Sequence, residues 1–353
     1  TMKGYEIQEF DILSASKKEW SRYHAYRKKR MSEVLPDDPL EDDASYEEFS
    51  KAALDEFDVK FYTVTKNDNP NEIIASLQMS VFRETSPSYE GNKHNLVARP
   101  MAILKEHRRK GIGGEFLKLV HRFAVETGKR MVLGGSMEED GRALNRVLGG
   151  VEALEMRNYR LDMTKVDWNM VKQWEDEGAK KSPDASLEFY TSIPDEILER
   201  YTKKYTEVFN QAPFDDLAIG DQIYTPELFR KYEEVFEKTG QTWLTVLVRE
   251  KNGDISSLSD VFYNPSQAPL LSQGLTGVDQ NYRGHGKGKW VKAAMLLKIR
   301  EEFPDIKTIV TGNATSNAPM IAINERIGFT LHHETYNMQV ETEKIGKYLE
   351  DRQ

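Results

Sequence analysis

Two stretches of this chain carry the same pattern in the same order, and that repetition limits the fold more than any other feature. Arg108, Gly111 and Gly113 have the spacing Arg-x-x-Gly-x-Gly, and Arg283, Gly286 and Gly288 repeat it 175 positions later. Pro39 and Pro213 lie 174 apart, and Gly149 and Gly328 lie 179 apart, so landmarks recur at a nearly constant offset. Repetition on that scale marks a tandem duplication. At 353 residues the chain is too long for one typical core and of ordinary length for two. The expected domains are 1–167 and 187–353, with 168–186 as a linker, because Trp174 to Ser186 is polar, charged and prolyl.

Each half reads as a mixed α/β layer structure. In the first, the spacing predicts a strand over 3–12, a helix over 17–31, a second helix through Tyr46, Phe49, Ala53 and Phe57, and a hairpin of 61–65 with 73–82. The stretch 131–135, a helix around 142–147 and a strand at 158–163 close it. In the second half, strands are expected at LEFYTSI, TWLTVLVRE, ISSLSDVFY and IKTIVTGN, helices at 195–209, from Pro226 and at 319–327, and a closing pair of strands in GFTLHHETYNMQVE.

The run from Gln273 to Ile299 is the most informative chemically. Leu275, Thr276, Gly277 and Val278 end a short apolar strand, and three glycines follow within Arg283 to Gly288. Trp290, Val291, Ala294, Met295 and Leu297 then recur at helical spacing. Glycines there let consecutive backbone N–H groups turn inward, and the helix N-terminus adds its partial positive charge, which suits a diphosphate. A P-loop needs Lys followed by Ser or Thr after its last glycine, but Gly288 is followed by Lys289 and Trp290. A dinucleotide fingerprint needs a glycine where Lys289 stands.

What remains, Arg283, Gly286 and Gly288, resembles the coenzyme A pyrophosphate loop of the GNAT N-acetyltransferase superfamily. Asn313, Asn317, Met320, Asn324, Gly328 and Phe329 resemble the second signature of that superfamily, on the strand and helix beside the pantetheine arm. With NQAPFDDL, the pattern is similar to that of the two-domain GNAT proteins. The resemblance implies two tandem domains, each a mixed, mainly antiparallel sheet flanked by helices. It also implies direct acyl transfer from acetyl-CoA to an amine without a covalent enzyme intermediate, which suits a chain with no cysteine. On the same basis Arg283, Gly284, His285, Gly286, Lys287 and Gly288 would wrap the pyrophosphate. Thr276, Gly277 and Val278 would align the pantetheine and polarise the thioester carbonyl, with Asn313 and Asn317 beside the arm. Arg108, Arg109, Lys110, Gly111, Ile112 and Gly113 would form the loop of the first domain.

The chain departs from the family pattern where proton transfer is concerned. Many members carry a tyrosine four residues before the Gly-Phe pair as general acid, but Asn324 stands here. In the first domain Asn145 stands at that position, Glu138 replaces the expected Asn, and Gly149 and Gly150 replace Gly-Phe, so that domain is expected to be catalytically weak or inactive. Where some relatives place a glutamate on the strand before the loop, this chain has Ser272 and Gln273. The candidates for the general base and acid are therefore Asp260 on the neighbouring strand and Tyr336 on the closing strands, with His332 and His333 as further candidates. Two adjacent strand residues point to opposite faces, so at most one of the histidines could serve. Asn210, Asp215 and Asp216 lie in a loop that in the family borders the acceptor pocket.

Composition sets the outer limits. A hydrophobic content of 39%, a charged content of 30% and no apolar run of membrane-spanning length describe a soluble protein. The first residues lack the pattern of a signal peptide, and without cysteine there is no disulfide framework, so a cytoplasmic location is expected. A net charge of −9 argues against a nucleic-acid partner. No metal site is read, and LPDDPLEDD lacks the spacing and the glycine of a calcium loop. The expectation is an N-acetyltransferase acting on a small-molecule amine, as a monomer or homodimer. The alternatives are a non-catalytic acyl-CoA sensor and a protein or peptide N-acetyltransferase.

Overall fold

The computed structural model describes residues 4–352, so position 3 of the first expected strand lies outside the described residues. In chain order the first half forms β1 (Tyr5–Glu9), α1 (Lys17–Val34), α2 (Asp43–Ala52), β2 (Phe57–Lys66), β3 (Asn69–Phe82), α3 (Tyr89–Asn92), β4 (Asn95–Ile103), α4 (Ile112–Glu126), β5 (Met131–Ser136), α5 (Glu139–Val147) and β6 (Val151–Asp162). Next come α6 (Trp168–Lys181), β7 (Ser186–Tyr190), α7 (Asp195–Asn210), α8 (Pro226–Lys238), β8 (Thr242–Arg249), β9 (Ile255–Tyr263) and β10 (Leu270–Val278). The chain ends with α9 (Lys287–Glu302), β11 (Thr308–Ala314), α10 (Ala318–Ile327), β12 (Thr330–Glu341) and α11 (Thr342–Glu350). Among the described residues no helix is long and apolar enough to cross a membrane.

The chain divides into two compact units that interleave the sequence halves. The first comprises residues up to Glu155, Asp215–Asp221 and the chain from Thr335 onward; the second comprises Met156–Phe214 and Gln222–Glu334. In the first unit β1, β2, β3 and β4 pair antiparallel in that order, β5 joins β4 in parallel, and residues 336–341 of β12 pair antiparallel with β5. In the second unit β7, β8, β9 and β10 are antiparallel, β11 joins β10 in parallel, and residues 156–162 of β6 pair antiparallel with β11. The two sheets share one plan, with the closing strand of each half serving the other half's sheet. The expected closing pair of strands in the second half is thus one twelve-residue strand, β12, followed by a helix.

Each sheet is covered on both faces, as a half-apolar layer requires. In the first unit Phe10, Trp20, Tyr23, Tyr26 and Phe61 pack under α1, while Phe116, Val120 and Ile112 of α4 cover Leu77, Met79 and Leu96. Helix α1 starts where Ser16 and Glu19 cap each other reciprocally, an arrangement worth about 1 kcal/mol. In the second unit the two layers are α7 with α8, and α9 with α6.

The stretch expected as a linker is helical from 168 to 181. Its charge and its proline mask a stripe of Val171, Trp174 and Gly178 at helical spacing, and these three are buried. Gly178 is a contact point with α9, since a Cβ there would stand 2.1 Å from Cγ of Trp290, a side chain that is itself buried. Gly178→Ala is expected to lower the melting temperature, because overpacking costs about 1–3 kcal/mol and exceeds the ~1 kcal/mol of helix propensity gained. A thermal melt that rises would show that α6 tolerates displacement.

Candidate active site

Strands β10 and β11 run side by side only briefly. Leu270, Leu271 and Ser272 pair with Thr308, Ile309 and Val310, and no pairing between the two follows. The register of β10 against β9 shifts between Gln273 and Thr276, a bulge that bends the strand, while β11 stays with β6 as far as Ala314. A wedge opens between the two strands, and residues 274–278 on its edge are only half-buried. Main chain on that edge has no neighbouring strand, the condition under which an extended ligand can align beside it.

At the open end of the wedge the chain turns into α9. Gly284 and Gly286 take positive φ of 84° and 79°, and Gly286 is the N-cap of α9 with no side chain accepting from the first turn. The N–H groups of that turn are the unsatisfied donors that make a helix start an anion site. Arg283 spans the turn, its Nε donating to the Val278 carbonyl at 3.2 Å and its Nη2 to Gln211 Oε1 at 2.8 Å. His285 is exposed. The Lys287 side chain, expected at the pyrophosphate, turns away: it is buried and its Nζ donates to Glu250 Oε1 at 2.5 Å and Ser182 Oγ at 3.0 Å. The cation that does stand beside the turn is Lys181, at the end of α6, whose Nζ lies 3.8 Å from where a Cβ on Gly286 would be.

Across the wedge, Asn317 is the N-cap of α10, and Asn313 near the end of β11 accepts from Asn324 Nδ2 at 2.8 Å. Asn324 is fully buried and its Oδ1 has no hydrogen bond. In the second unit Thr276, Gly277, Val278 and the turn 283–288 thus lie on the β10 side of the wedge, and Asn313 and Asn317 lie on the β11 side.

Asp260 lies on β9, in the part of the strand that flanks the bulge. It is 0% exposed and accepts from Tyr205 Oη at 2.9 Å and from Trp243 Nε1 at 3.2 Å. Its Oδ1 faces the bulge, 2.2 Å from where a Cβ on Gly274 would be, so only glycine fits there. Gln273, passed over in the sequence for want of an acid, donates from Nε2 to the Asp260 carbonyl at 2.6 Å and to Ser259 Oγ at 3.0 Å, and Ser259 meets Thr276 Oγ1 at 2.8 Å. Burial pushes the Asp260 carboxyl up to about 7 against the lowering effect of the Tyr205 and Trp243 hydrogen bonds.

Other candidates stand elsewhere. Tyr336 belongs to the first unit, opposite Ser136 of β5, with the Arg142 guanidinium 3.6 Å from its ring centre. Asp215 and Asp216 also belong to the first unit, and the Asp216 N–H donates to the Ala153 carbonyl at 3.2 Å. Asn210 staples its own loop, donating to the Thr206 and Gln222 carbonyls and accepting from the Gln222 N–H. His332 and His333 meet each other through Nδ1 at 2.7 Å.

The first unit repeats the geometry with altered chemistry. Strand β4 pairs with β5 only over Asn95–Val97, a bulge falls between Ala98 and Met101, and Arg108 Nε donates to the Ile103 carbonyl as Arg283 does to Val278. The bulge contains Pro100, which has no N–H to offer. In the turn Arg109 occupies the positive-φ position that Gly284 fills in the other unit, and Gln78 takes the strand position of Asp260. Gly111 caps α4, whose first residues are the buried Ile112 and the half-buried Gly113, and Lys110 stands before them. Glu138, the N-cap of α5, accepts from Arg108 Nη2 at 2.9 Å and from Arg30, and Asp140 accepts from Arg108 Nη1 at 2.9 Å. Burial would raise the Glu138 carboxyl, but the two arginines hold it below the usual range. These ion pairs tie the two lips of the first unit's wedge together; in the second unit Arg283 and Asn317 make no such bond.

No family model matches the chain, and no curated protein matches it in sequence. Solved structures do resemble it over almost its whole length. A tandem GNAT protein from the clavulanic acid biosynthesis pathway superposes with a TM-score of 0.73 at 16% identity, covering 96% of this chain and 98% of that one. A GCN5-related N-acetyltransferase from Sphaerobacter thermophilus gives 0.60 at 12% identity, with 96% of each chain covered. Saccharomyces cerevisiae N-myristoyltransferase, solved with bound myristoyl-CoA, gives 0.57 at 10% identity, covering 96% of this chain and 79% of that one. At these identities the likeness is one of fold.

Proposed function

We propose that this chain, built on the tandem GNAT fold, is an N-acyltransferase whose second unit moves an acyl group, acetyl in the first instance, from acyl-CoA to a small-molecule amine. One observation carries the reading: a buried carboxylate, Asp260, abuts the bulge of a wedge whose open end is an uncapped glycine turn. The residues fit the donor, since the first turn of α9 has free N–H groups for a diphosphate and Lys181 stands beside it. CoA would supply the activated thioester. The chain's own part is to hold the diphosphate at 284–288, to align the arm along 274–278, and to take a proton at Asp260.

The face of the sheet that carries Asp260 also carries Tyr205, Tyr224, Phe236, Trp243 and Phe262, joined by ring contacts of 4.8–6.3 Å. Aromatic side chains packed around a carboxylate favour a cationic amine with an apolar body, to be admitted at the half-buried rings of Tyr224, Phe236 and Phe262. A screen of amines for thiol release from acetyl-CoA tests the reading; binding of CoA with no release from any amine would leave a sensor in its place.

The first unit is read as silent, because its lips are ion-paired and Pro100, Arg109 and Gln78 replace the groups that serve the second. Calorimetric titration is expected to give one CoA per chain, and Gly111→Glu is expected to leave that binding unchanged. Two CoA per chain would overturn the silent assignment.

A further inference from the structure

Lys292 sits in the middle of α9 among Val291, Ala293, Ala294, Met295 and Leu296, and is 1% exposed. Burying an ammonium costs several kcal/mol unless a counter-charge repays it. The neighbouring buried lysine, Lys287, has Glu250; Lys292 has no carboxylate partner among the described residues, and its Nζ lies 5.2 Å from the centre of the Phe329 ring. Packing does not demand a cation here. The residue 175 positions earlier is Leu117, equally buried in the apolar core of the first unit.

The direction of the side chain follows from its helix. Gly288 lies four residues before Lys292 and so on the same face. A Cβ on Gly288 would touch Val278 Cγ2 of β10 at 3.4 Å and Ile323 Cδ1 of α10 at 3.5 Å, so this face looks onto both walls of the wedge. The next residue on α10 is Asn324, whose buried Oδ1 has no hydrogen bond and whose carbonyl accepts from the Phe329 N–H at 3.0 Å. Lys292 therefore enters the wedge from the α9 side, beneath the glycine turn. Asp260 belongs to the other face: it packs with Tyr205 of α7, whereas its strand neighbour Val261 joins the α9 layer.

We infer that Lys292 is the proton donor to the sulphur that leaves in acyl transfer, standing in for the phenol that Asn324 replaces; the inference rests on the acyltransferase reading. The amine first gives up its ammonium proton to solvent and attacks as the neutral base; as its nitrogen bonds to the thioester carbonyl carbon, the carbon–sulphur bond breaks. Asp260 takes the proton released by the amine on one face of the sheet, and Lys292 Nζ gives a proton to the departing sulphur on the other. Solvent reprotonates the amine of Lys292, and atoms and charges balance.

Burial alone lowers the Lys292 ammonium to about 7, which makes its proton transferable to a thiolate whose conjugate acid lies near ~8.5. Apart from Lys181 beside the turn, the charged groups near α9 are engaged elsewhere. Lys289 and Arg326 lie over Trp174, Lys298 pairs with Glu301 and Glu302, Arg283 holds Gln211, and Lys204 holds Asp279 and Glu207.

The test uses the full chain and Lys292→Met. CoA affinity by calorimetry is expected to stay within about threefold, while kcat falls roughly a hundredfold with little change in KM, the scale of a lost general acid. The wild-type kcat should decline above neutrality as the ammonium is lost, and that limb should be absent in the variant. A readout independent of turnover is the thiol of bound CoA, titrated by the ultraviolet absorbance of its thiolate. In the wild type it should ionise about tenfold more readily than in Lys292→Met. An unchanged rate and pH profile in the variant, or an unshifted thiol in the unmutated protein, would overturn the role of Lys292. Failure of the wild type to bind CoA at all would instead overturn the acyltransferase reading.

Discussion

Asp260→Asn is expected to reduce amine acylation by a factor of about 10²–10⁴, the contribution of a positioned general base, with CoA binding unchanged. Asparagine keeps the shape and can still accept from Tyr205 and Trp243, but it cannot take a proton. With the carboxyl raised to about 7, the wild-type rate should climb as pH rises towards neutrality, because only the ionised form is a base, before the Lys292 limb turns it down above neutrality. Stability moves the opposite way. The unfolded carboxyl ionises near 3.8 and the folded one near 7, so between those values the folded state holds a proton that the unfolded state has lost. Stability from this group therefore falls as pH rises across that window, by on the order of 4 kcal/mol in all. Asp260→Asn does not share the fall. Urea unfolding at pH 5 and pH 8 should show the variant gaining on the wild type at pH 8, while its activity is lost. A variant that acylates amines at the wild-type rate would remove Asp260 from the chemistry.

Gly286→Glu is expected to weaken CoA binding at least a hundredfold, about 2.7 kcal/mol. Two effects add. The φ of 79° strains any residue with a Cβ, at about 1–2 kcal/mol, and the new carboxylate would meet a diphosphate across the start of α9. Gly286→Ala carries the strain without the charge and should lose about tenfold or less, so the pair separates the two causes. Calorimetry on both variants, with thermal melts to confirm folding, decides the matter. Undiminished binding by Gly286→Glu would place the donor somewhere other than this turn.

Much of this arrangement was legible because it depends on local chemistry. The turn at 283–288 needs glycine for its positive φ, and the helix behind it needs apolar residues at its own period, so both show in the sequence. The same holds for the strand that precedes the turn, though not for its bulge, and for the repeat 175 positions earlier. What escaped notice depends on which distant residues meet. The charged surface of α6 hid the stripe that packs on α9, and Lys181 gained its place beside the turn only through that packing. Lys292 looked like one more lysine on a helix because the burial of every side of α9 is not a property of α9 alone. Its counterpart Leu117 is the one hint the sequence offered.

By itself the sequence determined that there are two repeats, each a mixed sheet with helices on its faces, and that the glycine turn of the first is followed by an altered second signature at Glu138, Asn145, Gly149 and Gly150. Periodicity and backbone conformation are short-range properties, written in consecutive residues. Only the tertiary structure decided that each half's last strand completes the other sheet, which removed Tyr336 from the second unit. It alone showed that Arg108 is tied to Glu138, and that Asp260 and Lys292 are buried on opposite faces of one sheet. The energies behind those outcomes, strand pairing and desolvation of charge, are set by neighbours remote in the chain.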